Sequence, residues 1–571
     1  MRARRLSLEV SVADQLDVNE MRRKIAAAAE EERKLLSPAA GAGDQESEQP
    51  VSDDLVHDCL DLNERGDGRL FAALHRGKFV NVSNWDRAGR WLVWTGHHWE
   101  IDRTGRAIDA VEDVAIRYLY LSDCQNGEKR ALEKRVFELN ALIEGDPTPS
   151  ADFLDERLAK NIQLAKINQM QKRCIDRASR LRSKKGAENC LYWATNIGDE
   201  SLTILGDIID TKPWLLPCGN GVIDLKTGEL LPGKPGDYLL RAVPVEWRGI
   251  SEPCPNFTTF FNEIHLGNTA VIDFLYRLFG YSITGLKKNH FIGVFLGEGR
   301  NGKGTLFELF RWLLGDLAWN ISPEMLLEQK VSSSSAGPRA DIMSLHGKRF
   351  VISSESDENR RISLAAVKLY TGGDTIPARG PFDHDVTNIT PTWKMFFYTN
   401  HIPRGLTADF AIRQRLIYIK YPLKFVDQPD PADPLQRPRD PDLFDRLQAE
   451  ASGILAALVR GCLDWQRLGG FKPPESIMAS VEELRKQEDV FLQFVSDSGE
   501  IEIDPEAKVS FKDLYNKFSD WYRDEKSDSD KYRPTKMAIS AWLEKRGYER
   551  RKPSGIATVY GMRLSPLGGN L

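Results

Sequence analysis

The sequence predicts an α/β multidomain fold: a P-loop core, preceded by an α+β N-terminal domain and followed by a winged-helix-like C-terminal domain. Three observations carry that reading. An apolar run, Phe291 to Leu296, breaks into a glycine-rich turn ending at Gly302-Lys303, and an amphipathic run from Leu306 to Leu314 follows. From about residue 285 to 425 strand-like and helix-like patterns alternate, as a sheet covered by helices requires. From residue 488 a compact tail reads as helix, helix and two strands. A chain of 571 residues is too long for one core. The expected segments are a flexible N-terminal stretch 1–53, an α+β domain 54–255, the core 256–425, a helical extension 426–487 and the winged-helix-like domain 488–571.

Composition narrows the class. A hydrophobic content of 41% and a charged content of 28% are those of an ordinary globular chain. No apolar run approaches ~20 residues, so no membrane partner is expected. Met1-Arg-Ala-Arg-Arg-Leu-Ser7 lacks the apolar core of a secretory signal. Seven cysteines are scattered with no Cys-x-x-Cys pair, which predicts a reducing, cytoplasmic setting without disulfides or zinc. The histidines show no metal spacing. A net charge of −5 excludes a whole-protein basic bias, so any nucleic-acid contact must use local patches or a channel.

Along the chain, Asn19 to Leu36 has a helical composition and Pro38 to Asp53 reads as linker. Trp85, Trp91, Trp94 and Trp99 cluster, and Arg90 to Asp102 alternates around Thr95-Gly96 as a hairpin does. Those rings suit either packing in a small sheet or stacking on a base or sugar. Residues 107–195 look mainly helical. Their basic runs, Lys172-Arg173 and Arg180 to Lys185, fit a solvated helix face. Gly221 to Leu231 reads as strand, Lys-Thr-Gly turn and strand. Residues 426–441 are rich in Pro and Asp and predict a surface crossing; helices follow to 487.

The loop Gly297-Glu298-Gly299-Arg300-Asn301-Gly302-Lys303-Gly304-Thr305 carries the chemistry. Backbone N–H groups of such a loop can wrap a polyphosphate, and the following helix adds positive potential at its N-terminus. Lys303 would reach the outer phosphates, which predicts binding and hydrolysis of a nucleoside triphosphate, ATP with Mg2+. The usual pattern follows the lysine with Ser or Thr. Here Gly304 intervenes, so either Thr305 serves the metal or water and a downstream acid do. That acid is Glu355, at the end of the apolar run Phe350 to Ser353, with Asp357 second; it would activate water and help hold magnesium.

Further along, Asn400 ends the apolar run Trp393 to Tyr398. It could touch the γ-phosphate or simply form a turn before Pro403. Arg413 and Arg415 precede the run Leu416 to Ile419. They are either a surface pair or, Arg415 first, a reach to a neighbouring subunit's γ-phosphate. Ile376 to Phe382 and Val386 to Ile389 could form a hairpin, an ordinary one or one whose Arg379, Phe382 and His384 meet nucleic acid. Lys368, one helix earlier, could serve either site. In the tail, Lys545, Arg546, Arg550, Arg551 and Lys552 could hold phosphates or edge a packing module.

The ordered set "GEGRNGKGT", "RFVISSE", "KLYTGGDTIPAR", "PTWKMFFYTN" and "AIRQRL" resembles the superfamily 3 helicases. It is most similar to the C-terminal helicase part of phage, plasmid and poxvirus primase-helicases. "DTKPWLLPCGNGVIDLKTGELLP" and "RDPDLFDRLQAEASGIL" extend the resemblance to about residues 60–565. It implies an AAA+-like core in a hexameric ring, ATP-driven translocation on single-stranded DNA, and 3′-to-5′ unwinding of forked DNA in replication of a phage, plasmid or related mobile element. Many relatives carry a priming domain before this region. The resemblance begins too early to leave room for one, so a separate primase is the expected partner. The competing expectation is an ATP-switched replication initiator or loader that does not unwind; a small-molecule P-loop kinase has little support.

Overall fold

A computed structural model describes residues 51–83, 90–328, 339–354, 360–379, 386–403, 405–407, 409–525 and 533–565. Trp85, Glu355, Asp357, Phe382, His384 and the segment Asn19 to Leu36 lie outside the described residues. Two compact units share the chain. The first is residues 1–209 with 234–240; the second is 210–233 with 241–571.

In the first unit the order is α1 Asp53–Asp61, α2 Asn63–His75, β1 Phe79–Ser83, β2 Arg90–Trp94, β3 Trp99–Ile101, α3 Arg106–Asp109, α4 Val111–Cys124, α5 Asn126–Glu144, α6 Ala151–Leu181, α7 Lys184–Ala194 and β4 Thr203–Leu205. The strands pair in the order β3-β2-β1-β4, with β4 parallel to β1 and the rest antiparallel. The hairpin around Thr95-Gly96 is present, with Trp94 opposite Trp99. Packing accounts for its aromatic rings. Trp99 is buried and donates its Nε1–H to Pro235 O at 2.9 Å, and Trp91 meets Phe71 edge-on at 6.0 Å. Within the basic runs Arg173 pairs with Asp61 at 2.6 Å and Arg182 with Glu112 at 2.6 Å, and between the runs Arg177 pairs with buried Asp67.

The second unit opens with the antiparallel sheet β5 Leu215–Cys218, β6 Gly221–Asp224 and β7 Glu229–Leu231, which contains the expected strand-turn-strand. Helices α8 Pro255–Ile264 and α9 Thr269–Ser282 lead into the core: β8 Ile292–Leu296, α10 Lys303–Leu314, β9 Ala318–Ile321, α11 Ala340–Met343, β10 Phe350–Ser354, α12 Leu364–Thr371, β11 Ile376–Ala378, β12 Thr387–Ile389, β13 Lys394–Thr399, α13 Phe410–Arg413 and β14 Leu416–Lys420. Five of these strands form one wholly parallel sheet in the order β14-β8-β13-β10-β9.

Such a sheet must be covered on both faces, and its alternation shows how. Phe295, Phe350, Ile352, Phe396 and Ile417 enter one buried cluster with Phe279, Phe307 and Phe310. Val294, Val351, Met395, Phe397 and Tyr418 enter another with Val367, Tyr370, Trp393 and Ile412. The Phe350 and Phe396 rings stack at 4.2 Å in the first.

Beyond the core, β15 Lys424–Val426 and β16 Gln436–Pro438 pair in parallel, so the Pro/Asp-rich crossing holds a short ladder the sequence did not announce. Helices α14 Leu443–Ala449, α15 Ala451–Arg467 and α16 Glu475–Glu488 follow. The tail comprises α17 Val490–Asp497, β17 Ile501–Ser510, α18 Phe511–Glu525, α19 Lys536–Lys545, β18 Arg550–Arg551 and β19 Thr558–Leu564. Its strands order β17-β19-β18 around a core of Phe491, Phe494, Phe518, Leu543 and Val559. No helix among the described residues is long and apolar enough to cross a membrane. All seven cysteines are free thiols.

Candidate functional site

In an open parallel sheet a ligand binds beyond the carboxyl ends of the strands, where the strand order reverses. Here the first core strand, β8, lies between the last, β14, and β13. The glycine-rich loop leaves β8 at that reversal. Its backbone departs from ordinary conformations three times: φ is 101° at Gly299, 49° at Arg300 and 83° at Gly302. Arg300 is the telling one, since a non-glycine held in the left-handed region marks a conformation imposed by its surroundings. Two of the glycines are sterically required. A Cβ on Gly297 would lie 1.9 Å from Asn301 Nδ2 and 2.7 Å from Tyr421 O, and one on Gly302 would lie 2.6 Å from Ile264 Cγ2.

The loop is fixed from outside as well. Gly297 N–H donates to Thr399 O at 3.2 Å, and Phe425 N–H donates to Arg300 O at 2.6 Å. Asn301, 2% exposed, donates from Nδ2 to Tyr421 O at 3.4 Å. Tyr421 is anchored in turn: its N–H donates to Leu296 O at 2.7 Å and its hydroxyl lies 3.0 Å from His265 Nε2. The other ring nitrogen of His265 faces Phe261 O at 2.7 Å. Burial holds the His265 pKa down at about 4 and pushes the Tyr421 hydroxyl far up, so both are neutral and the pair acts as a fixed hydrogen bond.

Helix α10 begins at Lys303 with no side-chain cap, and the N–H groups of a first turn have no partner within their own helix. Lys303 itself is 4% exposed. Its Nζ donates to Gly297 O at 2.7 Å, Asn301 Oδ1 at 3.4 Å and Asn400 Oδ1 at 2.7 Å. Asn400 is delivered by the end of β13, where Thr399 Oγ1 donates to His401 O at 2.7 Å and accepts from His401 N–H at 3.1 Å, closing a local turn. Thr305 is half-buried in the first turn of α10, and Gly304 beside it faces open space, with nothing within 4 Å of a built Cβ. Ser353 Oγ, buried one residue before the end of β10, finds no partner among the described residues. The structure therefore brings together Gly297 to Thr305 and Asn400. Strand β10 is described as far as Ser354; Glu355 lies outside the described residues.

The remaining predicted residues fall elsewhere. Arg415 precedes β14, whose Leu416 is level with Ile292 at the start of β8. It therefore sits at the amino edge of the sheet, one five-residue strand or roughly 17 Å from the loop. Its Nη1 donates to Thr371 Oγ1 at 2.9 Å and Lys368 O at 3.2 Å. Arg413 donates to Thr407 O at 2.6 Å, and Lys368 pairs with Asp409 at 2.8 Å. Strands β11 and β12 do pair antiparallel, Ile376 with Ile389, and half-buried Arg379 follows β11, its carbonyl accepting from Arg339 N–H at 2.9 Å. In the tail, Arg550 approaches Glu544 at 3.8 Å and Arg551 pairs with Glu549 at 2.7 Å; Lys552 is exposed.

Residues 68–266 match the family model described as D5 N terminal like. The chain is 27% identical over 328 residues to "Putative helicase L207/L206" of Acanthamoeba polyphaga mimivirus, covering 55% of this chain and 33% of that protein. It is 24% identical over 387 residues to "Putative helicase 022R" of Frog virus 3 (isolate Goorha), 55% of this chain and 39% of that one. It is 21% identical over 330 residues to "Putative primase C962R" of African swine fever virus (strain Badajoz 1971 Vero-adapted), 55% and 34%. The chain thus spans between 33% and 39% of the length of these relatives. Together these matches support a D5-like primase-helicase family. Among solved structures, the match to the A form apo structure of the NrS-1 C terminal region covers 63% of this chain and 85% of that one at 12% identity, with a TM-score of 0.35.

Two residues of this site carried no sequence signal. Tyr421 follows an ordinary apolar strand and His265 an ordinary amphipathic helix; only the fold brings them behind the loop.

Proposed function

We propose that the second unit is a P-loop, AAA+-like ATPase of the superfamily 3 type, and that the chain is an ATP-dependent replicative DNA helicase that translocates on single-stranded DNA as a ring. The observation that carries this is the meeting of Lys303, Asn400 and the uncapped start of α10 at the carboxyl edge of β8. It is where a polyphosphate finds a lysine, backbone N–H groups and a helix N-terminus at once. Relatives named as viral helicases and a viral primase point the same way. The loop would hold the phosphates of ATP. Mg2+ prefers to keep water and bind through one or two protein oxygens and the phosphates, a requirement the half-buried Thr305 hydroxyl fits, with Glu355 as the proposed second ligand. The metal would neutralise charge developing on the phosphates. Glu355 would orient the attacking water and Asn400 would meet the γ-phosphate.

The opposite-edge position of Arg415 favours a multisubunit engine. That arginine could serve only a neighbour's site, not its own, which is the role proposed for it in a homo-oligomeric, hexameric ring. Arg379, Phe382 and His384 would line the path of the strand, with Lys368 behind them, and the winged-helix-like tail would add Arg550, Arg551 and Lys552. A primase on a separate chain is the proposed partner, in the cytoplasm of the host cell. The test is ATP hydrolysis with and without single-stranded DNA, beside unwinding of forked duplexes with a 3′ or a 5′ tail. Stimulated hydrolysis with strand separation from one tail is expected; hydrolysis that ignores DNA, with no separation, would overturn the motor in favour of an assembly switch.

A further inference from the structure

The turn from α16 into α17 holds two neighbouring carboxylates that face different parts of the molecule. Helix α16 lies on the core, with Leu484 buried among Leu406, Ile412 and Tyr418. Its last residue, Glu488, grips the chain that follows β13. One carboxylate oxygen accepts from Leu406 N–H at 3.1 Å; the other accepts from Thr407 N–H at 2.7 Å and from the Thr407 hydroxyl. Thr407 is 3% exposed, and its carbonyl accepts from Arg413 at 2.6 Å. Glu488 therefore holds, at Leu406-Thr407, the connection between Asn400 and Arg413, two residues that the proposed function places at ATP sites.

The next residue, Asp489, faces the tail. Its carboxylate accepts from Trp542 Nε1–H, at 2.8 Å to each oxygen, and from Arg546 Nη2 at 3.0 Å. It also caps α17 by accepting from Leu492 N–H at 2.9 Å. Trp542 meets Phe491 edge-on at 4.9 Å, and the Arg546 guanidinium lies over the Trp542 ring at 4.2 Å. A third of the Arg546 side chain is exposed, and it belongs to the basic group with which the tail would meet phosphates. Hydrogen bonds to an ionised acceptor are the strong ones. Two such sets, on adjacent residues, tie the core and helix α19 of the tail to one point of backbone.

We propose that Glu488 and Asp489 are positioning residues that couple DNA on the tail to ATP hydrolysis in the core. The inference rests on the motor reading above. A DNA phosphate that takes Arg546 removes a charged partner from Asp489, and the turn that Asp489 shares with Glu488 passes the change to Leu406 and Thr407. Such coupling is reciprocal in binding: nucleotide in the core alters the tail's hold on DNA by the same factor.

The test uses the full chain. ATP hydrolysis is measured with and without a saturating mixed-sequence single-stranded oligonucleotide, and binding of that oligonucleotide is followed by fluorescence anisotropy. Asp489→Asn keeps a good helix cap and removes the charge beside Arg546. Trp542→Phe keeps a packed ring and removes its donor. Both variants should bind the oligonucleotide, hydrolyse ATP without DNA within about twofold of the unaltered chain, and lose the stimulation by DNA. Glu488→Gln should lower kcat about tenfold while KM for ATP stays within about twofold, because a displaced connection misplaces reacting groups without touching the phosphate loop.

Lost stimulation with binding and basal rate kept supports the proposal. Loss of oligonucleotide binding marks a merely structural role in the tail and overturns it; an unchanged kcat in Glu488→Gln does the same from the core side. The unaltered chain separates the two levels. If it hydrolyses ATP but ignores DNA, the motor reading fails and the coupling with it. If it responds to DNA and Asp489→Asn and Trp542→Phe respond equally, only the coupling fails.

Discussion

The two edges of the parallel core sheet both gather basic side chains, and they treat them in opposite ways. At the amino edge, Arg349 donates to Ile283 O and Leu215 O, each at 2.7 Å. Lys394 donates to Thr284 O and Thr392 O, and Lys287 to Trp393 O and Tyr370 O. Arg415 reaches Lys368 O. Several of these carbonyls lie at the C-terminal ends of α9 and α12, where a helix presents unpaired acceptors and negative potential. At the carboxyl edge the relation is reversed. There α10 presents donors and positive potential, and Lys303 donates to neutral acceptors on the loop and on Asn400. In a wholly parallel sheet each crossover helix runs back against the strand direction, on whichever face it lies, and that sorts helix ends by edge. One edge consumes cations; the other is prepared for an anion.

The comparison breaks most sharply at Lys303. Lys303→Ala should lower ATP affinity and turnover by about 10²- to 10³-fold, the scale for removing one preorganised charged donor, with circular dichroism unchanged. Lys287→Met at the amino edge should leave nucleotide binding within about twofold, since this lysine serves carbonyls rather than a ligand. Equal losses in the two variants would show that the edges are not functionally distinct.

Glycines give the next effect. Gly297→Ala places a methyl group against Asn301 and Tyr421 O, so it should cost about 2–3 kcal/mol, as overpacking of a tight site does, and weaken ATP together with stability. Gly304→Ala meets nothing within 4 Å and sits inside the helix, so it should stabilise by about 0.5–1 kcal/mol. Chemical denaturation checks the pair, and a like-sized loss at Gly304 would contradict the open space beside α10.

Much of this site could be read from residue order alone. The run from Phe291 through Lys303 to Leu314 is strand, loop and helix in the structure because its periodicity switches where the glycines fall. The runs ending at Ser353, Tyr398 and Ile419 are strands of one sheet. What could not be read is mostly side-chain partnership across elements. Nothing near Tyr421 in sequence indicates that its carbonyl would hold Asn301, more than a hundred residues away. Nor does "PTWKMFF" reveal that Lys394 would be wholly buried and satisfied by carbonyls. The pattern marks it as a polar residue opening an apolar strand, and only the helix ends packed beside it make its burial tolerable. The tryptophan hairpin shows the same limit: the strands were legible, but whether the rings faced a base or their own core depended on Pro235 and Phe71.

The amino edge makes its own prediction with pH. Burial, and secondarily the charge of Arg415, lowers Lys287 to about 7, and burial sets Lys394 well below its usual range. Because the folded value lies beneath the unfolded one, the unfolded chain binds more protons between about pH 7 and the ordinary lysine range. Stability should therefore rise with pH across that window, by up to about 1.4 kcal/mol per pH unit for each such lysine. Thermal unfolding from pH 7 to 9.5 reads it, and Lys287→Met should flatten the slope. A flat curve would mean that these lysines remain charged in the fold.

The smallest effect separates the loop's frame from its chemistry. Tyr421→Phe removes the hydroxyl that meets His265 Nε2 but keeps the ring in its buried position and the carbonyl that accepts from Asn301. The cost should be about 1 kcal/mol of stability, the net worth of one neutral hydrogen bond plus part of the penalty for an unmatched His265 nitrogen. KM for ATP should stay put, because the loop is held by the backbone of residue 421 rather than by its side chain. A raised KM in this variant would mean that the His265–Tyr421 bond tunes the loop directly. The carboxyl edge would then depend on a neutral, buried pair behind it as the amino edge depends on its carbonyls.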